Sequence, residues 1–433
     1  VTVWRTNNRG QRATGRLHLT VGPPPAVLRT APFQIPPSGA PELLVGGVDL
    51  EAPTAMAFDS KNRPYMINNR TPESFGLIRT IRSGKWVTRS CLEAVKPTRP
   101  PTERNMHAQG EMVIDDDDCL YATIAGWLAY SSDLGEHFQG YPCRGTLEVR
   151  TGHNKLAAPP AISQTTNHKK IPGVRWGGRC TLSVLIPVKT KDGLKLGDPI
   201  RITDNCLAVG SGGHSGGTSW AVTTGRCTHL VYTEMAKTLD GFNPTFIATV
   251  DRNTRTVTAR KFLVNAEPKK PDVHSRPTIT VDSKGYLHVV SGSHGQPFYY
   301  FRSKVRNSIT GGWTKPVKMA ARQCYASLVC DNRDQLHSVF RQWLPHATLG
   351  YQNSPPGGGK WNASKTLVLG ALKPGKYEYG IFYHRLFIDR ASVLYVSFTF
   401  FEFRTDKNGN YPESLAVSKD GGQTWRLADK KAF

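Results

Sequence analysis

The sequence contains no long apolar segment and no extended helical periodicity. Its apolar runs are about four to six residues long, whereas a membrane-spanning helix needs about 20 apolar residues, so membrane insertion is not expected. The 433 residues include 41 Gly and 30 Pro, which interrupt helices and occupy turns. These features predict an all-β fold made of many short strands.

Acidic residues are scarce relative to basic ones. The chain has 33 Asp and Glu against 56 Lys and Arg, a formal net charge of +23, and such an excess attracts polyanions. The basic residues are dispersed, and the sequence has no basic helix, zinc-finger spacing or aromatic RNA-binding motif, so nucleic acid is not the predicted partner. An acidic polysaccharide is the predicted partner. A solvated surface without a polyanionic ligand is the alternative.

The sequence also lacks CxxC and HxxxH patterns. Its eight cysteines are an even number, which in a Gly- and Pro-rich β-protein is typical of an exported protein with some disulfides. We therefore expect a secreted or periplasmic protein, although no secretory signal is visible after Val1. Cys227-Thr-His229, together with His214, could hold a structural zinc. Structural zinc or calcium is thus possible, but no cofactor is expected to be required.

What the sequence does contain is a repeat of about 50 residues, the length of a β-propeller blade. Each unit has a lead-in, a strand of small residues, a turn and a second, apolar strand. Seven lead-ins begin at Ala52, His107, His153, His214, His274, Tyr325 and Tyr383. They predict a seven-bladed β-propeller, a single domain over residues 45–433, preceded by an extended N-terminal segment, residues 1–44.

Two segments resemble Asp boxes, which are turns between the outer strands of a blade. Ser418-Lys-Asp-Gly-Gly-Gln-Thr-Trp425 is a good match, and Ser132-Asp-Leu-Gly-Glu-His-Phe138 is a degenerate one. They support the repeat and carry no chemistry.

The inner strands of a propeller run in one direction along the central channel, so the residues before them converge on one face. A ring at one axial mouth is therefore predicted, where ligand sites of repeat folds commonly lie. Its members are His107, His153, His214, His274, Tyr325 and Tyr383. His274 and His294 also flank one predicted hairpin, whose open ends lie side by side, so these imidazoles are predicted neighbours suited to acid–base chemistry.

From His214 to Tyr411 the chain resembles the BNR-type seven-bladed propeller polysaccharide lyases, which include ulvan lyases and rhamnosyl-glucuronate lyases. The resemblance lies in a D-x-H-x-x-P strand, a D-x-x-G-Y-L-H turn and a G-x-H-x-x-P-x-x-Y-x-x-S segment. It continues in a tyrosine opening the next blade, an arginine closing that blade's second strand, and a tyrosine opening the last blade. The matching positions are Asp272 to Pro277, Asp282 to His288, Gly292 to Ser303, Tyr325, Arg341 and Tyr383.

The resemblance implies a lyase that cleaves a polymer containing uronic acid by β-elimination. Arg341 would neutralise the uronate carboxylate, a histidine would remove the C5 proton, and Tyr325 would protonate the leaving oxygen. One tyrosine serving as both base and acid is the alternative. The implied catalytic residues are His274, His294, Tyr325, Arg341 and Tyr383. The implied substrate-binding residues are His214, Arg276, His384 and Arg302.

Two other function classes remain open. A sialidase-like glycoside hydrolase would need paired carboxylates or a tyrosine nucleophile with an arginine cluster, and Glu111 and Glu234 are the candidate carboxylates. A non-catalytic carbohydrate-binding propeller is the other alternative, although the lead-ins are rich in His and Tyr rather than Trp.

Overall fold

The computed structural model describes an all-β protein, as predicted. The described residues are 2–6, 12–16, 33–34, 53–97, 110–154, 159–174, 178–209, 219–236, 243–266, 271–292, 295–319, 322–342, 348–369, 372–373, 376–377, 379–402 and 413–428. They contain 36 strands and no helix. Among the described residues, therefore, no helix is long and apolar enough to cross a membrane.

The first eleven strands include a hairpin, β1-β2, a strand, β3, that joins a later sheet, and two antiparallel four-stranded sheets, ordered β4-β5-β6-β7 and β11-β10-β9-β8. Their bounds are β1 Thr2–Thr6, β2 Arg12–Arg16, β3 Phe33–Gln34, β4 Ala55–Phe58, β5 Pro64–Ile67, β6 Leu77–Arg82, β7 Lys85–Ser90, β8 Met112–Ile114, β9 Leu120–Ile124, β10 Trp127–Ser131 and β11 Gln139–Pro142.

The next ten strands form one eight-stranded sheet and a short hairpin, β15-β16. The large sheet has the order β12-β13-β14-β17-β19-β20-β21, and β18 also pairs with β19. Their bounds are β12 Gly145–Leu147, β13 Ile162–Lys170, β14 Gly178–Leu185, β15 Val188–Thr190, β16 Gly193–Lys195, β17 Ile200–Val209, β18 Ala221–Thr224, β19 Cys227–Glu234, β20 Asn243–Asp251 and β21 Thr256–Ala266.

The last fifteen strands form sheets β22-β23-β24-β25, β26-β28-β29-β30-β3 and β33-β34-β35-β36, and a hairpin, β31-β32. Strand β27 also pairs with β28, and β3 joins β30 in parallel. Their bounds are β22 Thr278–Val281, β23 Leu287–Ser291, β24 Tyr299–Arg302, β25 Val317–Lys318, β26 Gln323–Cys324, β27 Val329–Cys330, β28 Leu336–Gln342, β29 Thr348–Ser354, β30 Lys365–Leu369, β31 Leu372–Lys373, β32 Lys376–Tyr377, β33 Tyr379–Ile388, β34 Leu394–Glu402, β35 Glu413–Ser418 and β36 Arg426–Leu427.

The sheets are arranged as the blades of a propeller around a central channel. Inner strand β4 packs against β8, β18 against β22, β22 against β27 and β27 against β33, and β33 packs back against β4. The last blade therefore closes on the first. The channel is lined by residues of β4, β8 and β33. Apolar clusters between neighbouring sheets form the core.

A repeated aspartate turn ends five of the inner strands. In each turn the Asp Oδ1 accepts hydrogen bonds from the backbone N–H groups two and four residues later. The residue three positions later has a positive φ. In four of the five turns its side chain bonds the turn of the preceding blade, as in Ser60 N to Asp118 and Arg390 N to Asn62. The turns begin at Asp59, Asp115, Asp282, Asp331 and Asp389. They form a linked belt at one end of the channel.

Buried Asp–His–Tyr hydrogen-bond networks connect this belt to the strands of the blades. Asp282 Oδ2 lies 3.1 Å from His288 Nε2, and His288 Nδ1 lies 2.7 Å from the Tyr300 hydroxyl. The next blade repeats the arrangement with Asp331, His337 and Tyr351. The histidine of the D-x-x-G-Y-L-H motif is therefore a buried structural group.

Both Asp-box segments adopt the same turn. Ser418 Oγ donates to Asp420 Oδ1 at 2.8 Å, and Thr424 N donates to the same carboxylate. In the degenerate copy the equivalent serine is Ser131, whose Oγ donates to Asp133 Oδ1 at 2.7 Å. The box thus begins one residue earlier than the sequence indicated, because the serine hydroxyl two residues before the aspartate closes the turn.

The described residues confirm an all-β propeller, while the blade count of seven stays a prediction. The boundary between residues 1–44 and 45–433 also stays a prediction. Within the N-terminal segment, β1 and β2 form a hairpin, and β3 adds a parallel edge strand to β30.

Candidate functional site

Two inner strands are interrupted at the end of the channel opposite the aspartate belt. Tyr325, between β26 and β27, has φ of 64°, and Tyr383, at a bulge in β33, has φ of 50°. Positive φ is unfavourable for a bulky residue and is concentrated at functional sites. Both residues were predicted to be catalytic, and the structure places them on neighbouring blades.

Arg341 lies against the Tyr325 ring because of strand register. Arg341 is opposite Cys324 in the β26–β28 pair, so its side chain emerges beside the residue that follows Cys324. Its guanidinium carbon is 4.7 Å from the centroid of the Tyr325 ring, within the range of a cation–π contact. Arg341 is 1% exposed. Burial raises the pKa of Tyr325 above its usual range, and the Arg341 charge opposes part of this rise.

His274 approaches the same tyrosine, with ring centroids 5.6 Å apart. Its Nδ1 lies 2.5 Å from Asp272 Oδ1, and the same oxygen accepts the His274 backbone N–H. A carboxylate at Nδ1 holds the proton on that nitrogen, so Nε2 is the basic nitrogen of this imidazole. Asp272 was not among the predicted catalytic or substrate-binding residues. Its spacing two residues before His274 was the signal for this role.

His384 is a neighbour of Tyr325 from the next blade. Its Nε2 donates a hydrogen bond to the Tyr325 carbonyl oxygen at 2.9 Å, and the two ring centroids are 6.2 Å apart. Burial lowers the pKa of His384 to about 4, so its imidazole is neutral near pH 7. This contact holds the backbone of Tyr325 in its unusual conformation, which makes His384 a positioning residue.

Sequence reasoning missed two buried arginines at this end of the channel, Arg70 and Arg385. The Arg70 guanidinium lies 5.7 Å from the Tyr383 ring centroid and donates to Thr399 Oγ1 at 2.8 Å. Arg385 donates to the Gly110 carbonyl oxygen at 3.1 Å. Arg385 directly follows His384 in the sequence. Arg70 is more than 300 residues away from Arg385, and only the fold brings the two arginines close together.

The site is rich in buried positive charge. Burial lowers the pKa of Arg276, and it lowers that of Arg385 to about 10; the Glu111 carboxylate opposes both shifts. Asp272 and Glu111 are the carboxylates that act on Arg276, and Glu111 and Arg385 also line the channel cavity. Guanidinium groups concentrated in one place favour a ligand that carries negative charge.

The structure does not bring every predicted site residue to this place. His214, His294 and His107 lie outside the described residues. Arg302 stacks on the Tyr286 ring, 4.0 Å from its centroid, beside the aspartate belt. His153 Nε2 lies 3.0 Å from the Asp331 carbonyl oxygen. The prediction that His153 belongs to the ring of lead-ins is therefore wrong, because its segment packs across the opposite end of the channel.

His153, Cys330 and Asp334 form a group that could hold a metal ion, since their ligand atoms all lie within 4.8 Å of one another. The group belongs to the belt. Asp334 already accepts hydrogen bonds from Ser283 N and Ser283 Oγ at 2.8 and 2.7 Å. Asp118 accepts the same pair of bonds from Ser60 in another blade. The geometry of Asp334 is thus explained by the turn repeat.

Two residues of the predicted zinc site, Cys227 and His229, lie within the described part of the chain. His229 is buried in its blade with Nδ1 2.8 Å from Thr249 Oγ1, and burial lowers its pKa to about 4. Burial is also the main cause of the raised pKa of Cys227.

Glu234, a candidate carboxylate for hydrolysis, forms a 2.7 Å ion pair with Arg260.

Comparison with known proteins matches the second half of the chain to a repeat family. Residues 244–432 match a model described as a BNR repeat-containing family member. This range includes His274, Tyr325, Arg341 and Tyr383, whereas Arg70 and Glu111 precede it. No curated protein sequence matches the chain.

Several solved structures resemble the chain. A polysaccharide lyase described as an ulvan lyase is 14% identical over 51% of this chain and 56% of its own, with a TM-score of 0.41. A second polysaccharide lyase is matched over 54% of its length, so the chain spans about half of each lyase. A Trypanosoma rangeli sialidase is 11% identical over 85% of this chain and 60% of its own, with a TM-score of 0.41.

A Penicillium chrysogenum α-L-arabinanase is 11% identical over 72% of this chain and 93% of its own, with a TM-score of 0.40. These structures thus include two polysaccharide lyases, a sialidase and an arabinanase. Residues 244–432 are therefore similar to the BNR repeat family, and the sheets observed there have the arrangement of β-propeller blades.

Proposed function

We propose that this protein is a polysaccharide lyase that cleaves a uronate-containing acidic polymer by β-elimination. The observation that carries the proposal is the stacking of Tyr325 on the buried Arg341 guanidinium, with the Asp272–His274 pair beside the same ring. This arrangement offers a cation, a proton donor and a base on one small surface.

The first requirement of the reaction is neutralisation of the uronate carboxylate, because the C5 proton beside it is otherwise too weakly acidic. Arg341 would bind the carboxylate as a planar, bidentate donor. In a buried site, preorganised positive charge stabilises developing negative charge far more than it would in water. Arg276 would add to the same field.

The second requirement is proton transfer. His274 Nε2 would take the C5 proton, and Asp272 would stabilise the resulting imidazolium. The C5–H electron pair then forms the C4–C5 double bond while the C4–O bond breaks. The Tyr325 hydroxyl would donate its proton to the leaving oxygen. A raised pKa keeps Tyr325 protonated at neutral pH, which suits it to the role of acid and disfavours the same tyrosine as base.

One further observation favours a second candidate function, a glycoside hydrolase of the sialidase type. Such enzymes can use a tyrosine nucleophile with an arginine cluster and a carboxylate. Glu111 is buried and lies within electrostatic range of Arg276 and Arg385. The two reactions differ in the fate of water, because a hydrolase consumes it and a lyase does not.

Incubation with a panel of uronate polymers in water enriched in oxygen-18 tests the proposal. A lyase gives products that absorb in the ultraviolet, carry no heavy oxygen from water and sum in mass to the substrate. Products with heavy oxygen and no chromophore would instead establish hydrolysis. Binding of the polymer without products would favour the non-catalytic alternative. Tyr325→Phe is the matched control, because it removes one hydroxyl and keeps the ring on Arg341.

A further inference from the structure

Two cysteines face each other across neighbouring strands of the large sheet. Cys180 in β14 is directly opposite Cys206 in β17. Directly opposite residues of antiparallel strands have Cα atoms about 4.5 to 5.5 Å apart. Disulfides form over Cα separations of about 4.4 to 6.8 Å, so the backbone already meets this requirement.

The side chains are also in contact. The two thiols are hydrogen-bonded to each other, and Cys180 Sγ lies 3.3 Å from the Cys206 carbonyl oxygen. Other cysteines have different neighbours: Cys91 Sγ donates to the Gly76 carbonyl oxygen, and Cys119 Sγ accepts from the Tyr130 hydroxyl. All eight cysteines are thiols in the structure.

Cys206 occupies a junction in the sheet. It pairs with Cys180 on one side and with Glu234 of β19 on the other, because β17 leaves β14 at this point and continues along β19. The ladder shifts register on both sides of the junction. Cys206 also lies within electrostatic range of Arg276. The junction therefore connects one blade to the next beside the candidate site.

We infer that Cys180 and Cys206 form a cross-strand disulfide when the chain folds in an oxidising compartment. Two thiols lose two protons and two electrons to form the S–S bond, and a disulfide-class oxidant is reduced to two thiols in the exchange. Cys180 is 4% exposed and Cys206 is fully buried. Oxidation therefore takes place during folding, before the blades close over the pair.

The bond would tether β17 to β14 at the point where β17 changes partner. It closes a loop over residues 181–205 and so restricts the unfolded chain. It also limits movement of the strand end that approaches Arg276. This inference concerns the scaffold and does not rest on the proposed lyase function.

Thiol mapping tests the inference directly. The chain is produced in an oxidising and in a reducing compartment, denatured in acid, alkylated, digested and analysed by mass spectrometry. In the oxidised sample, the peptides containing Cys180 and Cys206 should be recovered joined, two hydrogens lighter than the sum of the thiol forms. Cys91 should be alkylated in both samples. Recovery of Cys180 and Cys206 both alkylated from the oxidised sample would overturn the inference.

Thermal unfolding provides a second readout. Adding a reductant that breaks the bond should lower the Tm of the oxidised protein by on the order of 5 °C. Cys180→Ser should abolish this reductant-dependent shift, whereas Cys91→Ser should retain it. Each variant is compared with itself with and without reductant, so a general loss of stability from serine does not affect the conclusion. A shift that persists in Cys180→Ser would also contradict the pairing.

Discussion

Replacing Arg341 tests the proposed chemistry most directly. The guanidinium is 1% exposed and lies under the Tyr325 ring, so solvent cannot take over its role toward a bound carboxylate. Loss of one preorganised donor of this kind costs about a hundred- to a thousand-fold in turnover, or about 2.7 to 4 kcal/mol. Arg341→Met should therefore lower kcat by about that factor and change KM much less. Arg341→Lys keeps the charge without the planar fork and should lose about tenfold.

The assay is the initial rate of ultraviolet absorbance from the unsaturated product, measured as a function of polymer concentration. Arg341→Met approximately preserves side-chain length, and its Tm is measured beside its rate because removal of a buried charge can destabilise a fold. An unchanged Tm would show that the loss is catalytic. A Met variant that retained kcat within threefold of the parent would refute the assignment of Arg341.

The same variant makes a prediction about pH. Arg341 lowers the pKa of Tyr325 in the parent, so its removal should raise that pKa further. With Tyr325 as the proposed acid, activity is lost as pH rises through its pKa. The alkaline limb of the pH–rate profile should lie above pH of about 10 in the parent and move to higher pH in Arg341→Met. A shift to lower pH would contradict the proposed role of Tyr325.

The remaining predictions concern the proton-transfer groups, buried histidines and metal. Tyr325→Phe should lower kcat at least about a hundred-fold with an unchanged Tm; near-parental rates would exclude its hydroxyl as the acid. Asp272→Asn should lower kcat, because His274 loses the partner that fixes its proton; a kcat within threefold of the parent would argue for a different base. His229 and His384 have pKa values lowered to about 4 from about 6.5 when unfolded, so the unfolded state binds the extra protons. Stability should be constant above pH 6.5 and fall as pH drops toward 4, by about 3 kcal/mol for each histidine. Melting curves of His229→Gln across this range should show a smaller fall, and an undiminished one would refute the linkage. Activity should survive chelator, whereas a rapid, metal-reversible loss without unfolding would contradict metal-independent chemistry.

Local patterns in the sequence predicted the turns and hairpins well. The turn starting at Asp282 needs one carboxylate and the backbone N–H groups two and four residues later. All of these lie within five consecutive residues. The Asp box from Ser418 to Trp425 is equally local. Since these interactions close inside a short segment, their residue spacing is visible without knowledge of the fold.

The candidate site was only partly visible for the same reason. Tyr325 and Arg341 lie on paired strands of one blade, so their proximity follows from a hairpin. Arg70 comes from an earlier blade and is not marked by a local motif. His153 was misplaced because its position in the repeat resembles that of the other lead-ins, whereas contacts with Asp331 carry it to the opposite end of the channel.

The sequence by itself determined the class of fold, the repeat and the residue types available for chemistry, because strand propensity, turn geometry and blade length are short-range properties. The tertiary structure decided which side chains from distant parts of the sequence come into contact. Closure of the ring through β33 and β4 brings Arg70 to Thr399 and Tyr383, and the shift of β17 onto β19 sets Cys206 between Cys180 and Glu234. These contacts join residues that are distant along the chain, and their geometry depends on how whole blades pack around the channel.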